Sequence, residues 1–311
     1  MQINELTNLT GQSTGELYSW LPHDLQAEHV VFLPDACPGR APLPTGTAVL
    51  TRQSDWRKFA VSDCGCGMRL VRTGLTEDDL TQELWDEAAD VLRSQKGGLG
   101  DLGGGNHFVD ALIPKEEAAI YLLIHTGSRD ESRRVEDLTD KPSRFDQVFS
   151  EVVQWASDNR KAVQHILEDV VGAMECVLDL PHNTYEPLQS GGAIIRKGSA
   201  HVRPGELNII PSHIDGDVAL VRATDNVEQI LGSLSHGTGR AMSRSEAKKL
   251  ATIFDMDALR DRVLIPESID DASLRTDGPF AYRDLDPSLE LIDDYVTVER
   301  RFGVKAYLGH L

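Results

Sequence analysis

Short apolar runs, several of them followed by glycine-rich loops, constrain the fold of this chain more than any other sequence feature. Runs of strand length occur at residues 48–50, 120–124, 193–195, 208–210, 218–221 and 295–298. Helical segments do not alternate with these runs in the regular order of a doubly wound sheet. The sequence therefore predicts an α+β fold.

Two segments have the apolar spacing of helices. In residues 76–94, Thr76 and Asp79 resemble a capping box at the start of such a pattern. A longer pattern covers about residues 145–176, and the polar triplet at 157–159 predicts a break into two helices. No internal repeat or low-complexity linker divides the chain, and we expect residues 1–311 to form a single domain.

The chain has the features of a cytoplasmic protein without a membrane partner. No run approaches the roughly 18 apolar residues that cross a bilayer, and residues 1–20 lack the basic-then-apolar order of a secretory signal. The four cysteines, Cys37, Cys64, Cys66 and Cys176, form a poor disulfide framework and suit a reducing compartment.

Net charge works against a general attraction to nucleic acid. The chain has 31 Lys and Arg against 50 Asp and Glu, for a net charge of −19. Such a field repels polyanions at long range. A phosphate-bearing substrate must therefore be held by a local basic patch or by bound metal cations.

Two glycine-rich loops contain side chains that bind metals. In residues 63–69, D-C-G-C-G-M-R, Asp63 and Cys66 can converge on one cation, although a tight turn with buried cysteines is the alternative. In residues 102–108, L-G-G-G-N-H-F, glycines allow close approach of the backbone to a ligand beside Asn106 and His107. A surface histidine in a flexible turn is the alternative there.

Three further histidines lie in loops of the same style. His125 ends an apolar strand before Ser128 and Arg129, which are available for phosphate, and a core histidine bonded to a carbonyl is the alternative. His182 is less distinctive and, taken alone, is more often structural. His236 opens a glycine-bounded turn before Arg240, where it can act as a nucleophile toward a bound phosphate.

Together these loops predict a metalloenzyme with cysteine, aspartate and histidine ligands. Four of the ten histidines and two of the four cysteines lie in them. Ligand softness alone favours zinc or another late transition metal. Ser243 resembles a helix N-cap, and Arg240 and Arg244 beside that helix start are suited to an anion.

In this order, the motifs resemble those of the RtcB family of RNA ligases. The matching segments are Asp63 with Cys66, residues 104–108, 124–129, 182–183, 196–198 and 236–244. The resemblance spans about residues 63–244 and is highly specific in combination. It implies an RtcB-like catalytic domain, with mixed β-sheets flanked by helices around a central metal cleft.

The resemblance also implies the cofactors and their ligands. Two manganese ions would share the thiolate of Cys66, one with Asp63 and His107, the other with His125 and His182. GTP would contact Asn106, Asp110, His182, Asn183, His213, His236, Gly237, Thr238, Gly239 and Arg240. RNA phosphates would contact Arg129, Arg196 and Lys197, with Arg203, Arg240 and Arg244 as further basic contacts.

The implied reaction is RNA ligation through a guanylated His236. A 2′,3′-cyclic phosphate or 3′-phosphate end is joined to a 5′-hydroxyl end in RNA repair, RNA splicing or tRNA processing. A phosphohydrolase or end-healing enzyme that has lost ligation is one alternative, and a non-catalytic metal or nucleotide sensor is another. An activating partner such as archease is compatible with the resemblance.

Three departures from the family pattern concern the nucleotide. Asp110 stands where the family has a glutamate, and His213 and Val218 replace two serines. The family's C-terminal Lys-Gly pair is missing, so that Lys305 or His310 would have to substitute. We therefore expect a relaxed or changed nucleotide preference, or weak ligation.

Overall fold

A computed structural model describes residues 1–39 and 42–311, and the Arg129 side chain lies outside the described part. The predicted phosphate contact of Arg129 therefore lies outside it too. The α-helices are α1 (Thr14–Trp20), α2 (Gln82–Arg93), α3 (Arg133–Glu136), α4 (Pro142–Val171), α5 (Arg244–Leu250), α6 (Met256–Arg260), α7 (Asp271–Leu274) and α8 (Leu285–Glu290). The strands are β1 (Gln2–Asn8), β2 (Gln26–Cys37), β3 (Thr45–Thr51), β4 (Gly67–Arg72), β5 (Phe108–Pro114), β6 (Tyr121–Thr126), β7 (Glu175–Pro181), β8 (Asn183–Pro187), β9 (Ala193–Lys197), β10 (Ser199–His201), β11 (Leu207–Pro211), β12 (Asp217–Ala223), β13 (Ser233–Ser235) and β14 (Val296–Gly309).

The strands form two large sheets and one small one. The first large sheet is antiparallel, in the order β11-β12-β14-β5-β6-β4-β7, and its edge strands β11 and β7 approach each other. The second has the order β1-β2-β3-β9-β8, in which only the β1–β2 pair is parallel, and β10 pairs with β13. Mixed sheets flanked by helices confirm the predicted α+β class.

The central strand β6 shows why the first sheet forms. All of its residues are buried, and successive side chains point to opposite faces. Leu122 and Ile124 enter a core with Trp85 of α2 and Val163 of α4, whereas Leu123 enters a second core on the other face. A strand that is covered on both faces has an unbroken apolar sequence, and this pattern made the strand predictable.

One long strand that contains polar residues was not predicted from the sequence. The long strand β2 contains Pro34 and Asp35, residues that usually argue against a strand interior. It is nevertheless almost wholly buried between β1 and β3. The strand therefore carries a buried carboxylate into the middle of the molecule.

The first predicted helix is divided. Thr76 and Asp79 form the predicted capping box, but it closes a short 3-10 turn, Glu77–Asp79. The α-helix α2 begins later, where the Thr81 side chain accepts a hydrogen bond from the Leu84 N–H. The capping-box prediction is confirmed, and the prediction of one helix over 76–94 is wrong.

The predicted break in the second helix is also wrong. Helix α4 runs unbroken for 30 residues and ends at Gly172, whose φ is 80°, so that Cys176 lies in β7. Polar residues weaken a helix when their side chains bond to the nearby backbone. Here Asn159 and Arg160 are buried and bond to loops outside the helix.

The sheet order brings several loops to one edge. Because β5, β6, β4 and β7 are neighbouring antiparallel strands, the starts of β5 and β4 lie beside the ends of β6 and β7. Residues at these positions are His107, His125, Cys66 and His182. His182 is also the residue at which the chain passes from the first large sheet to the second.

Within the described chain, no helix has the length and apolar character needed to cross a bilayer.

Candidate functional site

The predicted metal ligands meet at this sheet edge. The Cys66 Sγ lies 3.5 Å from the Nε2 of His107 and 3.4 Å from the Nε2 of His125. The Nε2 atoms of His125 and His182 are 3.4 Å apart, and a carboxylate oxygen of Asp63 lies 4.0 Å from the Nε2 of His107. These side chains form two groups that share Cys66, and the ligand atoms of each group lie within 4.8 Å of one another.

Backbone carbonyls orient two of the imidazoles. The Nδ1 of His125 donates to the carbonyl of Asn106 at 2.8 Å, and the Nδ1 of His107 donates to the carbonyl of Leu102 at 3.1 Å. A carbonyl only accepts, so the proton lies on Nδ1 and the Nε2 lone pair faces the thiol. Such an outer partner is typical of metal-binding histidines. His125 is thus both bonded to a carbonyl and directed at the cluster.

Burial sets the protonation of these groups. It lowers the pKa of His125 and of His182 well below the usual value, and the neighbouring histidines lower both further. Burial raises the pKa of the Cys66 thiol, and the Asp63 carboxylate adds to this effect. Neutral imidazoles suit a cation, and coordination deprotonates a thiol. The buried sulfur and nitrogen donors, together with the partly exposed carboxylate of Asp63, therefore fit a divalent metal centre.

A glycine allows the two ligand-bearing turns to approach. A Cβ atom on Gly127 would lie 2.7 Å from an oxygen of Asp63 and 2.9 Å from the Cβ of Cys66. Any side chain at this position would displace one of the two ligands. The glycine two residues after His125 is therefore required by the packing of the centre.

His236 lies beside the cluster. Its ring centroid is 4.5 Å from that of His182 and 6.2 Å from that of His125. Its Nδ1 lies 2.5 Å from a carboxylate oxygen of Asp35 and 2.9 Å from the carbonyl of Gly198. Nδ1 is therefore the protonated nitrogen, and Nε2 retains a lone pair for nucleophilic attack.

The sequence motifs did not identify Asp35 as a residue of the site. It is fully buried on β2, and its second oxygen has no hydrogen-bond partner among the described residues. A Cβ on Gly239 would lie 2.6 Å from the Cα of Asp35, so the glycine-bounded turn after His236 packs directly on this strand. An aspartate inside an apolar run is the sequence feature that could have identified it. The adjacent proline argued against a strand there.

A cavity of about 760 Å³ connects the metal-ligand cluster with His236, a volume within the range of small-ligand sites. All of the predicted nucleotide contacts line it, namely Asn106, Asp110, His182, Asn183, His213, His236, Gly237, Thr238, Gly239 and Arg240. Lys197 and Arg244 also line it.

Several of these residues also build the cavity wall. The Asn183 amide accepts from the Gly198 N–H and donates to the Asp63 carbonyl. The Thr238 hydroxyl donates to the carbonyl of Arg283. Arg240 donates to the Thr276 carbonyl and pairs with Asp277, so that much of its hydrogen-bonding capacity is already used.

The basic residues differ in position. The Lys197 Nζ donates to the Ser62 carbonyl at 3.0 Å and lines the cavity. Arg196 does not: its buried guanidinium bonds to Ser233 and to the Leu231 carbonyl and pairs with Glu186. The predicted phosphate contact of Arg196 is therefore corrected. Its side chain points to the opposite face of β9, as alternation along a strand requires.

The residues that depart from the family pattern have distinct environments. Asp110 is 4% exposed, has no described hydrogen bond, and burial raises its pKa well above the usual value. His213 is held by Asp215, 3.0 Å from its Nδ1. Val218 is packed in the core and is not a cavity residue.

Lys305 and His310, the two possible substitutes for the missing C-terminal lysine, lie in different environments. Lys305 pairs with Glu77 at 2.9 Å and does not line the cavity, so it is excluded as a substitute. His310 pairs with Asp277, which does line the cavity. Of these two residues, only His310 therefore lies against the cavity wall.

Ser243 caps α5 as predicted, in a capping box with Glu246. Arg244, the first residue of this helix, is exposed at the cavity. Within the described chain it has no hydrogen bond or ion pair, which leaves its charge available to a bound anion.

Comparison with known proteins identifies the family of this chain. The family described as tRNA-splicing ligase RtcB matches residues 139–302, more than half of the chain. The RNA-splicing ligase RtcB of Escherichia coli strain K12 is 25% identical over 362 aligned residues, covering 87% of each protein. The tRNA-splicing ligase RtcB of Nanoarchaeum equitans is 23% identical and covers 89% of this chain and 85% of the relative. The chain therefore belongs to the RtcB family.

Proposed function

We propose that the protein is a manganese- and GTP-dependent RNA ligase. It joins an RNA end with a 2′,3′-cyclic phosphate or 3′-phosphate to an end with a 5′-hydroxyl. The observation that carries the proposal is the His236 imidazole, held by Asp35 beside the buried cluster around Cys66. The relatives named as RNA-splicing and tRNA-splicing ligases support it.

Two groups of residues would hold the metal ions. Asp63, Cys66 and His107 form one, and Cys66, His125 and His182 form the other. When bound, divalent cations neutralise phosphate oxygens and orient them for in-line displacement. The proposal of manganese, in place of the zinc that the ligand types favour, rests on the family resemblance.

His236 would act as the nucleophile. Its Nε2 attacks the α-phosphorus of GTP, a P–N bond forms, and the bond to the β-phosphate oxygen breaks to release pyrophosphate. The imidazole becomes cationic in this step, and the buried carboxylate of Asp35 at Nδ1 stabilises that charge. The product is a guanylated histidine.

The remaining steps transfer the guanylate. Water first opens a cyclic phosphate to a 3′-phosphate, whose oxygen then attacks the guanylate phosphorus and releases His236. The 5′-hydroxyl finally attacks the activated 3′-phosphorus, forms the phosphodiester and releases GMP. Lys197 and Arg244 at the cavity are proposed contacts for the RNA phosphates.

We propose that residues 1–311 act as one catalytic unit, because residues from Asp35 to Tyr307 line the same cavity. A cytoplasmic location is supported by the cysteines, all four of which are free. A requirement for archease is testable by adding it to the ligation assay and measuring turnover.

The preference for the nucleotide base is proposed to be relaxed or changed. The buried carboxyl of Asp110 lines the cavity, and one of its oxygens has no hydrogen-bond partner in the part of the chain that the structure describes, while Lys305 lies elsewhere. Incubation with manganese and each α-labelled nucleoside triphosphate tests this. We expect labelling by GTP and by at least one further nucleotide, and exclusive labelling by GTP would contradict the relaxed preference.

A His236→Ala variant tests the reaction class. Mass spectrometry after incubation with GTP and manganese should show guanylate on the wild-type peptide that contains His236, and none on the variant. Loss of both transfer and sealing, with cyclic-phosphate hydrolysis retained, is the expected pattern. A phosphohydrolase would form no adduct in either protein, and a sensor would bind metal stoichiometrically without adduct or turnover.

A further inference from the structure

The middle of α4 lies against the sheet edge that carries the metal ligands. We propose that Asn159 and Arg160 are positioning residues that set the spacing of the ligand-bearing turns. This inference rests on the proposed metal centre. It gives a role to the polar segment in which the sequence predicted a helix break.

Arg160 connects two of the turns. Its side chain is 1% exposed, and one guanidinium nitrogen donates to the carbonyl of Gly65 at 2.9 Å and to that of Thr126 at 3.3 Å. Gly65 immediately precedes the ligand Cys66, and Thr126 immediately follows the ligand His125. One guanidinium therefore fixes the distance between the shared thiolate and the imidazole beside it.

Asn159 extends the connection to a third turn. Its oxygen accepts from the Gly100 N–H at 2.7 Å, and its nitrogen donates to the Asp101 carbonyl at 3.0 Å. The next residue, Leu102, accepts through its carbonyl from the Nδ1 of His107 and from the Thr126 hydroxyl. The orientation of His107 therefore depends on the loop that Asn159 holds.

The guanidinium of Arg160 forms an ion pair with a carboxylate behind the proposed metal centre. Its Nε lies 2.6 Å from one oxygen of Asp179, while Arg69 contacts the other oxygen at 3.1 Å. Asp179 lies on β7, three residues before His182. A buried guanidinium with a carboxylate and two carbonyls as partners is well satisfied, so it can hold the turns rigidly before any metal binds.

Glycine makes room for this arrangement. A Cβ on Gly67 would lie 3.0 Å from the Cζ of Arg160 and 2.5 Å from the carbonyl oxygen of Leu180. The glycine after Cys66 therefore admits the guanidinium directly behind the thiolate turn. Outer residues of this kind typically change metal affinity by 10–100-fold.

Cobalt titration tests the proposal, because thiolate-to-cobalt charge-transfer absorption reports the environment of Cys66. We expect Arg160→Lys and Asn159→Ala to weaken cobalt binding by about 10–100-fold and to change this absorption. The control is Arg69→Met, which removes the other ion pair of Asp179 but no contact to a ligand-bearing turn. It should bind cobalt as the wild type does.

The outcomes are distinguishable. Wild-type affinity and absorption in both Arg160→Lys and Asn159→Ala would overturn the positioning role. Equal loss in the Arg69→Met control would overturn it as well, since general destabilisation would then explain the effect. Failure of the wild-type protein to bind cobalt or manganese would instead refute the metal centre of the proposed function. Circular dichroism of each variant checks that the fold is retained.

Discussion

A buried carboxylate and an imidazole define the site at the scale of single residues. Asp35 and His236 are 201 positions apart in the chain and meet at 2.5 Å. The carboxylate selects the tautomer in which Nε2 is the unprotonated nitrogen. In the proposed reaction, the same carboxylate would stabilise the imidazolium that forms when Nε2 bonds to phosphorus. The reactivity proposed for His236 therefore depends on a residue that no motif near His236 contains.

Substitution of this carboxylate should separate nucleotide transfer from metal binding. Asp35→Asn replaces the acceptor with an amide that can donate to Nδ1 and favour the wrong tautomer. We expect the rate of covalent labelling of His236 to fall by about 10²–10⁴-fold, with manganese affinity unchanged. Radiolabelled GTP and calorimetric metal titration measure the two effects. Cys37→Ser, at the same cavity, is the control, and normal labelling of Asp35→Asn would contradict this role.

Asp110 should make stability depend on pH in the alkaline direction. Its folded-state pKa is raised by burial, so the folded state retains a proton that the unfolded chain releases. The contribution of Asp110 to the free energy of unfolding is fully present below the unfolded aspartate pKa of about 3.9. It falls as pH rises toward the pKa of Asp110 in the folded state. Asp110→Asn removes this loss.

Thermal melting from pH 5 to 9 measures the effect. The melting temperature of Asp110→Asn should exceed that of the wild type by a margin that grows with pH up to the folded pKa. The exposed Asp78→Asn variant provides the control. A constant or shrinking margin would show that Asp110 is ionised in the folded protein.

At the scale of elements, the alternating direction of β5, β6, β4 and β7 creates the metal-ligand cluster. Each strand places one ligand at the same sheet edge, and α4 supports that edge from behind. The turns between these elements pack so closely that glycine is the only residue that fits at Gly127.

Gly127→Ala tests this packing. The added methyl group would overlap an oxygen of Asp63 and the Cβ of Cys66, so we expect destabilisation by about 1–3 kcal/mol and loss of metal affinity. Gly74→Ala is the matched control, because nothing lies within 4 Å of a Cβ built there. Denaturant unfolding and metal titration measure the two effects. Wild-type metal binding in Gly127→Ala would show that the turns can move apart without cost.

At the scale of the whole molecule, the net charge of −19 limits how RNA can bind. Of the cations predicted to contact phosphate, Lys197, Arg240 and Arg244 line the cavity, and Arg240 is already paired with Asp277. Binding must therefore depend on a few local contacts and on the proposed metal ions, without long-range steering toward the polyanion.

A salt titration of RNA binding tests this limit. With two or three phosphate contacts to a single strand, the logarithm of the affinity should fall with the logarithm of salt concentration with a slope of about −2. Lys197→Met should make the slope shallower by less than one unit. Arg203 was predicted as a further contact but does not line the cavity, so Arg203→Met should not change the slope. A slope as steep as that of basic RNA-binding proteins would refute the picture of few contacts.

The sequence by itself determined which residue types form the site. The candidate ligands lie in short motifs beside glycines, and the glycines allow the ligand-bearing turns to approach one another closely. It also predicted several buried strands, such as β6, whose apolar runs depend on local composition. Only the tertiary structure decided that Asp35 orients His236, that Arg196 points away from the cavity, and that α4 continues through Asn159. Each of these depends on partners distant in the chain, and a local pattern contains no information about which distant group will satisfy a buried charge or amide.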